Sequence, residues 1–354
     1  MARRSRDDAA ATLAAAELSA LPPQQGLLVL EDMSGALVQL LDEAGEAWSS
    51  SVPVHSWSRR SPQAKTWPTA SVYDVVVIRL PRAREEFDML LHMAAGALMP
   101  GGRLLVAGAN DEGIKSSPRF IEPVFGPVKT LATGGHGRLL VALRPEHVAG
   151  LRSGLDAWRS VEPLALPWMP DSAKPVAWAS YPGVFAHGRV DEGTAFMSHH
   201  LAPPTSASPA LRVLDWGAGS GLIAAAVLAS VPDARVTLLD NDGLALDAAA
   251  HNLETLSTPP VAVDYLQSEG WQNVSPAANW DWIVANPPYH RGKSETLDAV
   301  AELVHGARLH LAPAGVLQFV VQRRLPVEPL LRRDFQHVAV VADEGAYRIW
   351  QARA

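Results

Sequence analysis

From residue 211 onward the chain alternates between two periodicities, and that alternation restricts it to one class of fold. Short apolar runs at 211–216, 234–240, 261–266, 281–286 and 316–322 have strand length. Between them, 222–231, 244–256 and 295–311 repeat apolar residues every three or four positions, as helices do. Strands alternating with helices build βαβ units and a mostly parallel sheet covered on both faces. The stretch 337–353 reads as two strands joined at Asp343-Glu344-Gly345, which predicts a C-terminal antiparallel hairpin on that sheet.

The turns of this α/β pattern carry the chemistry. Asp215-Trp216-Gly217-Ala218-Gly219-Ser220-Gly221 follows the first strand. Glycines at alternate positions let the backbone approach a ligand closely and turn directly into a helix N-terminus. The pattern resembles the adenosylmethionine loop of class I methyltransferases, a resemblance that sets Asp215 beside the methionine amino group. Asp240 ends the next strand, where a carboxylate can accept hydrogen bonds from ribose hydroxyls. Asp242 then reads as the helix cap. Ser268 and Glu269, after the third strand, fall where such folds usually contact adenine.

Asn286-Pro287-Pro288-Tyr289 closes the fourth strand and is the strongest signal. Two prolines fix the backbone and remove two N–H donors. The Asn286 side-chain carbonyl and a main-chain carbonyl of the rigid turn can both accept from an exocyclic amine. Such an amine is conjugated and poorly nucleophilic. Holding its hydrogens aims its lone pair at a sulfonium methyl, so positioning carries much of the catalysis. Tyr289 can stack on a planar target.

The first half repeats the pattern without the chemistry. Residues 73–109 mirror 280–321: an aromatic-Asp pair, an apolar strand, a proline-containing loop, a helix, a Pro-x-Gly turn and a strand. Residues 26–41 shadow 211–228. Glu31-Asp32-Met33-Ser34-Gly35 stands for the glycine loop, and Arg79-Leu80-Pro81 for Asn-Pro-Pro. An internal duplication with a decayed first copy that binds no cofactor is expected. The proline-rich stretch 160–183 reads as the join, giving a degenerate domain at 1–165, a linker at 166–180 and a catalytic domain at 181–354.

Composition sets the outer limits. The 354 residues are 48% hydrophobic and 19% charged, which is globular composition with enough apolar side chains for two cores. There is no cysteine, which excludes disulfides, thiolate nucleophiles and cysteine-based metal sites. The formal net charge of −7 means that any polyanion must meet a local basic patch. The alanine-rich N-terminus is interrupted by Asp7, Asp8 and Glu17 and reads as an amphipathic helix, not a signal peptide. No apolar run is long enough to span a membrane. A soluble cytoplasmic monomer without a metal is the expectation.

The second half resembles the bacterial 16S ribosomal RNA guanine-N2 methyltransferases. Tyr181-Pro-Gly-Val-Phe185 is similar to their Pro-Gly-Val-Phe segment, Asp191-Glu-Gly-Thr194 to their Asp-x-Gly-Ser/Thr turn, and Asn286-Pro-Pro-Tyr-His-Arg-Gly292 to their Asn-Pro-Pro-Phe-His-x-Gly loop. The resemblance implies two tandem class I (Rossmann-like) methyltransferase domains, the second alone catalytic. It implies S-adenosyl-L-methionine as cofactor and ribosomal RNA or the small ribosomal subunit as partner. It also implies a Phe185 that closes over the base. Asn-Pro-Pro-Tyr is also typical of adenine-N6 and protein glutamine-N5 methyltransferases. A non-enzymatic RNA-binding assembly protein with a vestigial cofactor site is the reading from another class.

Weaker signals complete the set. Arg291 and Lys293 flank the Asn-Pro-Pro loop, and Arg323-Arg324 with Arg332-Arg333 bracket the loop after strand five, together a possible phosphate rim. Arg59, Arg60, Arg79, Arg82 and Arg84 form a second patch in the first half. His199-His200 lacks accompanying ligands and reads as a solvated helix start. The eleven tryptophans read as packing.

Overall fold

The computed structural model describes residues 6–19, 26–32, 34–43, 54–204, 210–256, 262–288, 290–291, 294–295 and 297–353. The chain divides into two compact units, Met1–Trp158 and Arg159–Ala354.

The first unit runs α1 (Arg6–Ser19), β1 (Leu27–Leu30), α2 (Ala36–Glu43), β2 (Val54–Trp57), β3 (Tyr73–Arg79), α3 (Arg84–Ala97), β4 (Leu98–Ala109), α4 (Pro118–Phe125), β5 (Lys129–Gly134) and β6 (Gly137–Leu143). Its sheet has the order β2-β1-β3-β4-β6-β5. The first four strands are parallel, and β6 runs antiparallel to both β4 and β5. Ala10, Ala14 and Leu18 of α1 are fully buried in one core with Leu27, Val29, Val75, Val77 and Leu105. Alanine on the inner face lets that helix lie close to the sheet.

The second unit runs β7 (Ser160–Leu164), β8 (Val176–Ser180), α5 (Glu192–His199), β9 (Arg212–Trp216), α6 (Leu222–Ser230), β10 (Arg235–Asp240), α7 (Gly243–Leu256), β11 (Val263–Gln267), β12 (Trp280–Ala285), β13 (His290–Arg291), β14 (Ser294–Glu295), α8 (Asp298–His310), β15 (Leu311–Gln322), α9 (Glu328–Asp334), β16 (His337–Glu344) and β17 (Tyr347–Arg353). Its sheet has the order β11-β10-β9-β12-β15-β17-β16. The C-terminal hairpin is the antiparallel pair β16–β17, joined to β15 through β17. Two cores cover its faces, one around Val213, Leu238, Trp282 and Val316, the other around Leu214, Leu239, Ile283 and Phe319. These alternate along each strand, as a sheet buried on both faces requires.

The repeat extends to irregularities. The pairing slips between Tyr73 and Val75 in one sheet and between Trp280 and Trp282 in the other. Asp74 Oδ2 accepts the Gly26 N–H at 3.1 Å, and Asp281 Oδ2 accepts the Arg212 N–H at 3.0 Å. Each aspartate pins the start of the strand beside it. A Cβ at Gly102 would fall 2.8 Å from the Met99 carbonyl oxygen, and one at Gly315 2.8 Å from that of Ala312. The aromatic-Asp pairs and the Pro-x-Gly turns are therefore structural devices, which accounts for their presence in both units.

Three local readings change. The stretch 160–180 contains the antiparallel ribbon β7–β8 within the second unit, and the units divide ahead of the expected linker. Its prolines do not prevent pairing in a two-stranded ribbon, where every strand is an edge. His199 and His200 close α5 rather than open a helix. Strand five begins at Leu311, because the Pro-Ala-Gly turn is absorbed with Ala314 at φ 63°. Among the described residues no helix is long and apolar enough to cross a membrane.

Candidate active site

The loop after β9 holds all three glycines left-handed, with φ of 73° at Gly217, 54° at Gly219 and 86° at Gly221. They are not equivalent. A Cβ on Gly221 would come 3.1 Å from Cβ of Ala249 on α7, so that glycine serves helix–helix packing. A Cβ on Gly217 or Gly219 would meet nothing within 4 Å. Those two present bare backbone to open space. The loop is tied to the next strand: Gly217 and Ala218 donate to the Leu239 carbonyl at 2.8 and 3.0 Å, and Gly219 donates to Asp240 Oδ2 at 2.8 Å.

Asp215 is fully buried. Its Oδ2 accepts the Ala224 N–H at 3.0 Å, while its Oδ1 has no hydrogen-bond partner among the described residues. Burial pushes its carboxyl up to about 7 against the pull of the Ala224 N–H, and the nearby Asp240 charge adds to the rise. Burial also raises Asp240, to about 6, although the backbone N–H groups of Asp242, Gly219 and Asn241 favour its ionised form. Asp240 Oδ2 takes the Gly219 N–H and Oδ1 the Asp242 N–H, and the carboxylate has acceptor capacity left for a ligand. An orphaned buried carboxylate oxygen beside bare glycine backbone suits a ligand that joins a cation to a sugar. Asp242 caps α7, accepting from Leu244 and Ala245.

A second layer holds the loop, and the sequence reading missed it. Trp178 Nε1 donates to Ser220 Oγ at 3.0 Å. Asn252 joins the Ser220 carbonyl to both the N–H and the carbonyl of Ala179. Tyr181 donates to Asp247 Oδ2 at 2.7 Å. A usable signal for Asn252 was its place on the apolar face of α7, where a polar side chain needs partners. Beyond Tyr181 the chain turns through Gly183 and Ala186, both left-handed, and carries Phe185 outward, 64% exposed. Ser268 Oγ accepts the Asn273 N–H, and Glu269 Oε2 accepts from Asn241 Nδ2, so both brace the loops next to Asp240.

Strands β9 and β12 are neighbours, and Ala285 pairs with Trp216. Asn286 and Gly217 therefore leave adjacent strands at the same level. Asn286 Nδ2 donates to Asp191 Oδ2 and to Thr194 Oγ1, both at 2.9 Å. Asp191 is the N-cap of α5, its Oδ2 accepting the Thr194 N–H at 3.0 Å. Pro287 is buried and Pro288 exposed. Tyr289 and Lys293 lie outside the described residues, as does the side chain of Arg291, whose backbone belongs to β13.

The arginines do not form one rim. Arg323 follows β15 at the sheet edge shared with Asn286 and lies 2.5 Å from Asp343. Arg332 and Arg333 sit on α9, which leads to His337; His337 pairs with Arg353 at the other edge. Their guanidiniums meet Glu328 and Asp334.

The first unit shows how the corresponding place is filled. By strand register Glu31 matches Gly217 and keeps its left-handed turn at φ 60° despite a side chain. Arg59, two residues past β2, lies 3.0 Å from Glu86 and 3.8 Å from Glu31, all three largely buried. Arg79, in the place of Asn286, is 7% exposed and contacts Glu112 at 2.8 Å. The second basic patch expected of the first half is corrected for Arg59 and Arg79: carboxylates inside the unit neutralise them.

Residues 176–351 match the family model described as methyltransferase small domain, and residues 20–150 match methyltransferase small domain N-terminal. A ribosomal RNA small subunit methyltransferase C from Pseudomonas fluorescens is 32% identical over 288 residues, 80% of each chain. The chain belongs to the ribosomal RNA small subunit methyltransferase C family. A further member of that family, from Shewanella sp. (strain MR-4), is 29% identical over 341 residues and covers 92% of this chain and 94% of its own. The solved T. thermophilus 16S rRNA N2 methyltransferase RsmC, in complex with AdoMet and guanosine, has a TM-score of 0.77 at 23% identity, over 96% of this chain and 91% of that one. That likeness establishes the tandem methyltransferase fold.

Proposed function

We propose that the second unit binds S-adenosyl-L-methionine and methylates the exocyclic N2 amine of a guanine in 16S ribosomal RNA. The observation that carries the reading is the adjacency of Asn286-Pro287-Pro288 to the open glycine backbone at one sheet edge. An amine acceptor and a cofactor cradle meet there.

Asp215 Oδ1 holds the ammonium, Gly217 and Gly219 receive the cofactor's backbone-facing side, Asp240 takes the ribose hydroxyls, and Ser268 and Glu269 border the adenine. When bound, the cofactor supplies an electrophilic sulfonium methyl. The chain's own part is orientation: Asn286 Oδ1 and the Pro287 carbonyl accept the amine hydrogens and leave the nitrogen lone pair in line for transfer. Tyr289 stacks on the base and Phe185 closes over it. A guanine amine in structured RNA is reached with the base out of its stack. Arg291, Lys293, Arg323 and Arg324 border the RNA backbone. The first unit, without a cofactor cradle, positions RNA or supports the second. The enzyme acts as a cytoplasmic monomer.

The test is transfer of a labelled methyl group to small subunits lacking this modification, with nuclease digestion and mass spectrometry of the product. N2-methylguanosine is expected. N6-methyladenosine, or label recovered only in protein, would replace the substrate assignment, and no transfer would leave a non-enzymatic RNA-binding protein.

A further inference from the structure

We infer that Asp191 and Thr194 are positioning residues that set the direction of the Asn286 amide, so that its carbonyl and not its NH2 group meets the substrate amine. The inference rests on the reading of Asn286 as amine acceptor and extends it to two residues that act through Asn286.

An asparagine side chain has one accepting and one donating end, and only the accepting end can hold an amine by its hydrogens. Two hydrogen bonds decide the orientation here. Both Nδ2 hydrogens are directed inward, one to Asp191 Oδ2 and one to Thr194 Oγ1, each at 2.9 Å. The reversed amide would press Oδ1 against a carboxylate oxygen, acceptor against acceptor. Thr194 can receive a hydrogen because its own hydroxyl points to Asp191 Oδ2 at 3.4 Å. With the donors spent, Oδ1 is what Asn286 has left to offer.

Helix capping accounts for part of this geometry only. An N-cap aspartate explains the bond from the Thr194 N–H. It does not explain two bonds from a side chain more than ninety positions away in the sequence. Nor does it explain Gly193. That residue lies within α5 and is not left-handed, so its backbone conformation does not call for glycine, and alanine would favour the helix. Space calls for it instead. A Cβ there would stand 3.1 Å from Asp191 Oδ2, 3.2 Å from Tyr347 Cε1 and 3.4 Å from Asn286 Nδ2. The glycine keeps the approach open for the amide.

Thr194→Val in the full chain separates positioning from folding, because it keeps shape and removes the hydroxyl. With unmodified small subunits as substrate, kcat should fall about ten- to a hundred-fold, as for a misaligned reacting group. The KM for RNA and the affinity for S-adenosylmethionine should stay within about two-fold. Thr194→Ser should restore turnover, and Asp191→Ala should lose it in the same kcat-only manner. Wild-type kcat in Thr194→Val, equal loss in the serine variant, or a loss carried by cofactor affinity would each overturn the inference. A second readout needs no turnover. The Asn286 side-chain NH2 signals, assigned by their absence in Asn286→Ala, should lie downfield and move upfield in Thr194→Val; unmoved signals would also overturn it. A wild-type chain inactive on RNA would instead defeat the acceptor reading, and the NH2 signals would still decide whether the amide is held.

Discussion

Arg79 and Glu112 form a close ion pair, Nη2 to Oε1 2.8 Å, at the strand-end position where the second sheet carries Asn286. The guanidinium also reaches the carbonyls of Leu80 and Ala107, at 3.4 Å each. A place that presents an amide acceptor in one unit is filled in the other by an arginine bonded inward. Arg59 likewise lies between Glu31 and Glu86, so among the described residues two arginines of the first unit are paired inward with carboxylates.

Cofactor stoichiometry follows from that contrast. Calorimetry on the full chain should give one S-adenosylmethionine site. Gly219→Val should give none while circular dichroism stays native, because the added Cβ meets no protein atom within 4 Å and the side chain enters the open space proposed for the cofactor. A β-branched residue at φ 54° costs about 1–3 kcal/mol of strain, less than unfolding requires. A second site in the wild type would show that these ion pairs open.

Asn286→Ala should reduce methyl transfer by about a hundred-fold or more, since it removes the acceptor that orients the amine. Cofactor affinity should change by less than about two-fold, because the residues assigned to the cofactor belong to β9, β10 and the loops that follow β9 and β11. Turnover near wild type would remove Asn286 from the chemistry.

The two raised carboxyls make stability depend on pH in a definite direction. Asp215 and Asp240 titrate at about 7 and about 6 in the fold, above their ordinary 3.8. Between those values the folded chain binds more protons than the unfolded one, so stability falls as pH rises. Their contribution is complete below about pH 4 and is lost as pH rises through 6 and 7. Thermal melts from pH 5 to 8 should show this decline. Asp215→Asn should flatten it, and S-adenosylmethionine should too, because its ammonium favours ionised Asp215. A slope of the opposite sign would contradict the burial argument.

The arginines should differ by sheet edge. Arg323→Glu with Arg324→Glu should weaken RNA binding and reduce the slope of log affinity against log salt by about one to two, roughly one for each phosphate that is no longer neutralised. Arg332→Glu with Arg333→Glu, on the far side and bonded to Glu328 and Asp334, should change it less. Equal effects would return all four to the general field of the protein.

What the sequence by itself determined is what local physics encodes. Apolar periodicity specified the strands and helices, since burial on one or both faces writes a pattern of period two, a solid run or period 3.6. The glycine loop was legible because left-handed backbone next to a ligand excludes side chains, and Asn-Pro-Pro because two prolines fix a turn. Only the tertiary structure decided which residues act together. Asn286 meets Asp191 and Thr194 across the fold, and Asn252 meets Ala179 and Ser220; no local pattern announces such partners. Charge was the least legible property. Arg59, Arg79 and Arg323 look alike in sequence, yet burial among glutamates turned the first two inward and left the third at the active edge. A charge acts through its surroundings, and those form only when distant segments pack.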